Sequence, residues 1–180
     1  SGAINENTTW RAANSPYNIT GNITINTLAT LTIEPGVTIN YMGNYQVLVK
    51  GSIISNGTAT KPIIFNGYTV AGSYKMVFFK GADLATSSFK YSNFTGPQKA
   101  IQLAEETSSN QDSPKNRNIL TIENASFVNT EIIQGGYYSS ITILLKNSEI
   151  QNCNINWNSD STEYINFDNC KISSTIFNFI

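Results

Sequence analysis

Histidine is absent from the 180 residues, so no imidazole is available for general acid–base catalysis. Charge is scarce as well: Asp, Glu, Lys and Arg make up 13% of the chain, about half the usual share in soluble domains. With a net charge of −1 and its lysines scattered, the chain has no field to draw a polyanion, and nucleic acid is not an expected partner. No apolar run approaches the roughly 20 residues needed to cross a bilayer, and no basic-then-apolar leader precedes the first strands, so membrane insertion is not expected. Two cysteines, Cys153 and Cys170, permit one disulfide and are too few to staple a fold. Helical periodicity is also missing, which leaves packing of β-structure as the source of stability.

What replaces charge is Asn, Ser and Thr, with 24 Asn alone. These side chains hydrogen-bond without charge, favour turns, and stack into ladders when one position recurs in successive layers. Short apolar or alternating runs bounded by Gly, Asn, Ser or Pro predict strands at 23–25, 29–33, 37–41, 46–49, 52–54, 63–65, 75–79, 88–89, 119–123, 140–146 and 164–167. Strands this short suit an architecture of many small sides.

An internal repeat selects that architecture. The pattern apolar-x-Tyr/Asn-x-x-apolar is met by Phe89-Tyr91-Phe94, Ile122-Asn124-Phe127, Leu145-Asn147-Ile150 and Phe167-Asn169-Ile172. Its last two steps are 23 and 22 residues and its first is 33, the surplus falling on the polar segment 102–117, which is expected to be an inserted loop. Phe65, Gly67 and Val70 extend the series back by 24. A period near 22 fits one turn of a three-sided coil whose equivalent strands pair about 4.8 Å apart. Phe89, Ile122, Leu145 and Phe167 are then expected to form one inward column, and Asn124, Asn147 and Asn169 an amide ladder at a turn.

The stretch from residue 15 to residue 67 resembles the opening coils of right-handed parallel β-helix proteins of the pectate-lyase-like superfamily. The resemblance is carried by Leu31-Ile33-Pro35-Gly36-Ile39, by Gln46 to Thr58 with Gly51 and Gly57, and by Pro62-Ile63-Phe65. It implies an all-β chain forming a single right-handed parallel β-helix over residues 1–180, with coils of about 22–24 residues. Gly36, Gly51 and Gly57 are expected at corners needing positive φ, with Pro35 and Pro62 as breaks between sides.

Enzymes of that superfamily use carboxylate pairs or a calcium-held substrate with an Arg base. Neither arrangement is visible in this sequence, where Arg11 and Arg117 stand apart from clustered acids. Glu105, Glu106 and Asp112, and Asp160 with Glu163, match no calcium-loop spacing, so no catalytic residue, metal site or cofactor is expected. Tyr137 and Tyr138, which follow Gly135-Gly136, and Trp157 are candidates for stacking on sugar rings; packing in strands or turns is the simpler assignment. Asn7, Asn18, Asn22, Asn56, Asn93 and Asn124 head N-glycosylation triplets, about as many as this composition produces by chance.

A coil exposes a strand edge at each end. The segment 1–20, polar but containing Trp10, is expected as a cap across the first coil. The sequence finishes on Ile176, Phe177, Phe179 and Ile180, an alternating apolar strand with no polar cap after it. Either a longer surface protein continues from it, or the edge docks on another copy. The leading expectation is an extracellular structural or adhesive module, secreted or at the cell surface, with no catalytic activity. A carbohydrate-binding module is second, and a polysaccharide lyase or hydrolase third.

Overall fold

The computed structural model describes residues 1–69, 75–80, 82, 84–97, 99–104, 119–134, 142–157 and 164–179. Among these residues the strands follow one another around a coil. The first coil is β1 (Gly2–Ile4), β2 (Thr8–Trp10) and β3 (Tyr17–Ile19); the second is β4 (Ile23–Ile25), β5 (Thr30–Ile33) and β6 (Thr38–Tyr41). The third is β7 (Val47–Val49), β8 (Ser52–Asn56) and β9 (Ile63–Asn66); the fourth is β10 (Lys75–Lys80), β11 (Ser88–Lys90) and β12 (Ser92–Thr95). Then come β13 (Lys99–Ala104), β14 (Ile119–Glu123) and β15 (Ser126–Val128), followed by β16 (Glu131–Gln134), β17 (Thr142–Lys146) and β18 (Glu149–Gln151). The seventh is β19 (Asn154–Trp157), β20 (Tyr164–Asp168) and β21 (Lys171–Ser173), and β22 (Ile176–Phe179) opens an eighth.

Every third strand pairs in parallel, giving a first sheet of eight strands from β1 to β22 and second and third sheets of seven, from β2 to β20 and from β3 to β21. The chain is therefore a parallel β-solenoid. Alternation within each strand sends one set of side chains inward, and the register stacks them, with one shift between Lys99 and Ile101 where β13 meets β16. In the second sheet the column runs Trp10, Ile33, Ser55, Phe89, Ile122, Leu145, Phe167, which includes the four residues expected to align. In the third it runs Tyr17, Ile39, Phe65, Phe94, Phe127, Ile150, Ile172. Phe65 stacks on Phe94 with ring centroids 4.5 Å apart.

Two left-handed residues, five positions apart, bracket the short third-sheet strand of each later coil. Tyr91, Asn124, Asn147 and Asn169 occupy the first corner, with φ of 46°, 53°, 49° and 52°, and Gly96, Asn129, Asn152 and Ser174 the second. Asn is well suited here because its short polar side chain tolerates this conformation and bonds locally. One rung of the expected ladder is present, with Asn169 Nδ2 donating to Asn147 Oδ1 at 2.8 Å, while Asn124 shares the corner through its backbone conformation. A second ladder, unforeseen, has Asn152 Nδ2 donating to Asn129 Oδ1 at 2.6 Å. The next residue turns a hydroxyl or thiol back to the carbonyl two positions earlier: Ser92 to Lys90, Ser148 to Lys146, Cys153 to Gln151, Cys170 to Asp168 and Thr175 to Ser173.

Several expectations are corrected. Residues 1–20 do not fold across the coil as a cap; they are its first turn, paired in register with the second. Within this first coil the Trp10 and Tyr17 rings stack at 4.8 Å while the Tyr17 hydroxyl accepts from Arg11 N–H. Phe65 does not extend the Phe89 column; it pairs with Phe94, and Ser55 is the neighbour of Phe89. Val70 lies outside the described residues. Gln102–Ala104 belong to β13 rather than to an inserted loop, and the remainder of 102–117 lies outside the described residues. Gly36 has the expected positive φ of 87°, but Gly51 and Gly57 are not in that conformation. A Cβ on Gly51 would strike the carbonyls of Ala29 and Asn26, and one on Gly57 would lie 2.8 Å from the Tyr91 carbonyl, so close backbone approach explains both.

Candidate functional site

The outer face of the first sheet carries Lys75, Lys99 and Glu131, and here β10 and β13 are the longest described strands at six residues each. Lys75 is the register partner of Lys99, and Lys99 of Glu131. Lys75 Nζ sits 4.8 Å from the centre of the half-buried Phe78 ring. Burial, and then the neighbouring Lys99 ammonium, hold the Lys75 pKa below the ordinary lysine value. Lys99 Nζ is 3.9 Å from Glu131 Oε1, the same oxygen that accepts a hydrogen bond from Asn156 Nδ2. Asn178 Nδ2 continues the chain by donating to Asn156 Oδ1 at 2.7 Å.

Phe78 is also the register partner of Gln102, whose Oε1 is buried and has no hydrogen-bond partner among the described residues. The face thus offers an aromatic surface and a partly desolvated ammonium, while the Gln102 acceptor is buried. These groups can receive a hydroxylated or anionic ligand, with the ring giving stacking area and the polar atoms orientation. Sequence reasoning missed all of them. Their only linear signal is the spacing of Lys75, Lys99 and Glu131, which becomes meaningful once coil lengths are known.

A second concave region of about 410 Å³ follows the corner between the second and third sheets, lined by Asn124, Ala125, Ser126, Asn147, Ser148, Glu149, Asn169 and Lys171. The Asn147 and Asn169 amides are bonded to each other, and Glu149 is paired with Lys171 at 3.1 Å. Among the described residues no three carboxylate, thiol or imidazole side chains come together in a metal-binding group.

Tyr137 and Tyr138 lie outside the described residues, as do Glu105, Glu106, Asp112, Arg117, Asp160 and Glu163. Trp157 ends β19, with its backbone in register with Gln134 and Phe179. Cys153 and Cys170 are free thiols, and the bridge that the sequence permits is not made: Cys153 follows the second corner of its coil and Cys170 the first corner of the next. Burial raises the Cys153 pKa, partly offset by backbone hydrogen bonds.

Of the glycosylation triplets, Asn7, Asn18 and Asn22 are exposed, and each uses Oδ1 to accept from the following coil. Asn56, Asn93 and Asn124 are half-buried. The terminal edge divides by register. Ile176, 59% exposed, faces outward beside Asn154, whereas Phe177, 43% exposed, continues the inward line of Ile155. Phe179 pairs with Trp157, and Ile180 lies outside the described residues.

Residues 2–75 match the family described as a pectate-lyase like beta helix domain. No curated protein and no solved structure matches the chain.

Proposed function

We propose that the chain, whose residues 2–75 match the pectate-lyase-like β-helix domain family and whose later coils continue the same solenoid, is a non-catalytic structural or adhesive module working outside the cell. The observation that supports this reading is the unbroken register of the inward columns from Trp10 to Phe167 and from Tyr17 to Ile172. The regularity of the sequence is spent on shape: apolar columns fill the interior and Asn corners fix each turn. Such a rod spaces or presents whatever its ends and corners carry. Incubation with a panel of acidic and neutral polysaccharides tests it. No new reducing ends and no unsaturated products are expected, and either product would overturn the non-catalytic reading.

A second reading, a carbohydrate-binding module, is favoured by the outer face of the first sheet, where Phe78 and Lys75 combine a ring with a cation. On this reading Phe78→Ala loses retention on a glycan array at unchanged melting temperature. If neither the parent chain nor variants at Tyr138 or Trp157 show retention to lose, carbohydrate binding is wrong.

A further inference from the structure

In β10 and β13 the alternation of inward and outward side chains breaks at the same height. Met76 and Val77 are consecutive and both fully buried, and so are Ala100 and Ile101. β13 carries its extra residue as a bulge against β16, where the register shifts between Lys99 and Ile101. β10 runs in step with β13 through Lys75 with Lys99 and Val77 with Ile101, and has the same irregularity. A bulge re-aims the side chain beside it. Phe78 and Gln102 stand on the outer face, so strict alternation would place Met76 and Ala100 outside and turn Lys75 and Lys99 into the core. The paired bulges turn both lysines out instead, side by side on adjacent strands.

Two ammonium groups carried about 4.8 Å apart repel each other, and the Lys99 charge is, after burial, what holds the Lys75 pKa down. Among the described residues Lys75 makes no ion pair, and Lys99 has only the long 3.9 Å contact with Glu131 Oε1, an oxygen already shared with Asn156. Farther along the same strands Lys80 ends β10 on the outer face, and Lys50 follows Val49, the partner of Phe79. Four of the nine lysines, far apart in the sequence, are thus gathered on one sheet face. Between the two pairs, which lie roughly 15 Å apart along the strands, are the half-buried Phe78 and its partner Leu48.

Resting on the carbohydrate-binding reading above, we infer that this face holds a glycan carrying tetrahedral oxyanion esters, sulfate or phosphate, with one ester bridging Lys75 and Lys99 and the sugar against Phe78 and Leu48. An oxyanion between the two lysines removes their repulsion and accepts from both. Among the described residues no arginine joins them, so the planar fork that suits a carboxylate is missing, and lysines act as point charges toward a compact tetrahedral group. The apolar pair between the lysine pairs gives the rings a surface to lie on, which a bare anion would not need. Lys50 and Lys80 then meet a second ester of the same polymer.

The test uses dextran in four forms on one backbone: sulfated, phosphorylated, carboxymethylated to equal charge density, and plain. Retention of the full chain on each is measured across a salt series. The sulfated or phosphorylated form, whichever is the source of the ester, is expected to retain the chain at least 10-fold more tightly than the carboxymethylated form. Lys75→Gln and Lys99→Gln should each weaken retention roughly 5-fold and lower the slope against log salt by about 1, at unchanged melting temperature. Lys61→Gln, exposed before β9, should change neither, and Glu131→Gln should strengthen retention by removing the competing carboxylate. Equal retention on the carboxymethylated form, lysine variants that bind as the parent does, or duplex DNA held as tightly as the esters overturns the inference. Plain glycans retained regardless of charge overturn it while leaving the carbohydrate-binding reading in place; no retention on any glycan removes both.

Discussion

Phe94 lies flat against Phe127 from the neighbouring coil, with ring centroids 5.0 Å apart and planes within 3° of parallel. Both rings are fully buried, with Phe65 stacked on the other side of Phe94. Truncating the central ring leaves a cavity that the rigid coils above and below cannot collapse to fill. Phe94→Ala is therefore expected to cost about 3–5 kcal/mol in urea unfolding, and Phe94→Leu markedly less. Equal losses would mean that stacking geometry is irrelevant there.

At the first corner, backbone and side-chain contributions can be separated. Asn147 has φ of 49°, and its Oδ1 accepts from Asn169. Asn147→Gly keeps the backbone comfortable and loses only the ladder bond, about 0.5–1.5 kcal/mol. Asn147→Ala loses the bond and adds left-handed strain of about 1–2 kcal/mol. Chemical denaturation should therefore rank the parent above Gly and Gly above Ala.

Leu28 holds φ of 71° while 95% exposed, so it carries backbone strain with little burial in return. Leu28→Gly is expected to raise stability by up to about 1 kcal/mol, the relieved strain exceeding the extra freedom of the unfolded chain. A fall in melting temperature would show that Leu28 contributes a contact after all.

Tyr41 sets a pH dependence. It is buried, its hydroxyl donates to the Met76 carbonyl at 2.6 Å, and burial raises its pKa far above the unfolded value of 10.0. Folded-state protonation is favoured, so this contribution is complete below pH 10. Above that pH the unfolded chain ionises while the folded chain does not, and stability falls by about 1.4 kcal/mol per pH unit from this group. Tyr41→Phe should flatten the slope between pH 10 and 11 measured by urea unfolding, while lowering stability at pH 7 by about 1–3 kcal/mol because the Met76 carbonyl loses its donor.

The thiols should react unequally. Cys170 is half-buried, whereas Cys153 is buried with a raised pKa, so a thiol reagent at pH 8 should modify Cys170 first and Cys153 only on unfolding. Intact mass without reductant should show no loss of two hydrogens; a bridged product would contradict the corner placement.

The column of Phe89, Ile122, Leu145 and Phe167 was readable in the sequence because side chains of one kind recur where coils are of nearly one length. It fails at Phe65 for a physical reason. The step from Ser55 to Phe89 spans 34 residues, and the true neighbour is a serine whose hydroxyl meets Ser92 at 2.9 Å instead of packing as an apolar group. Third-sheet strands such as β15, β18 and β21 escaped detection because three residues supply a single inward side chain, too few for alternation to register. The outer face around Lys75, Lys99 and Glu131 was illegible because outward residues need not repeat in kind. Only pairing brings together groups separated by 24 and 32 positions.

Because each turn pairs its strands with those of the turn before and the turn after, the protein behaves as a ruler graduated in single coils. Excising a whole unit such as 125–147, which begins just after one left-handed Asn and ends on the next, would shorten it by a single graduation and leave Asn124 joined to Ser148 at the same corner. Length is thus a quantity this backbone can change by duplication or deletion while its cross-section stays constant.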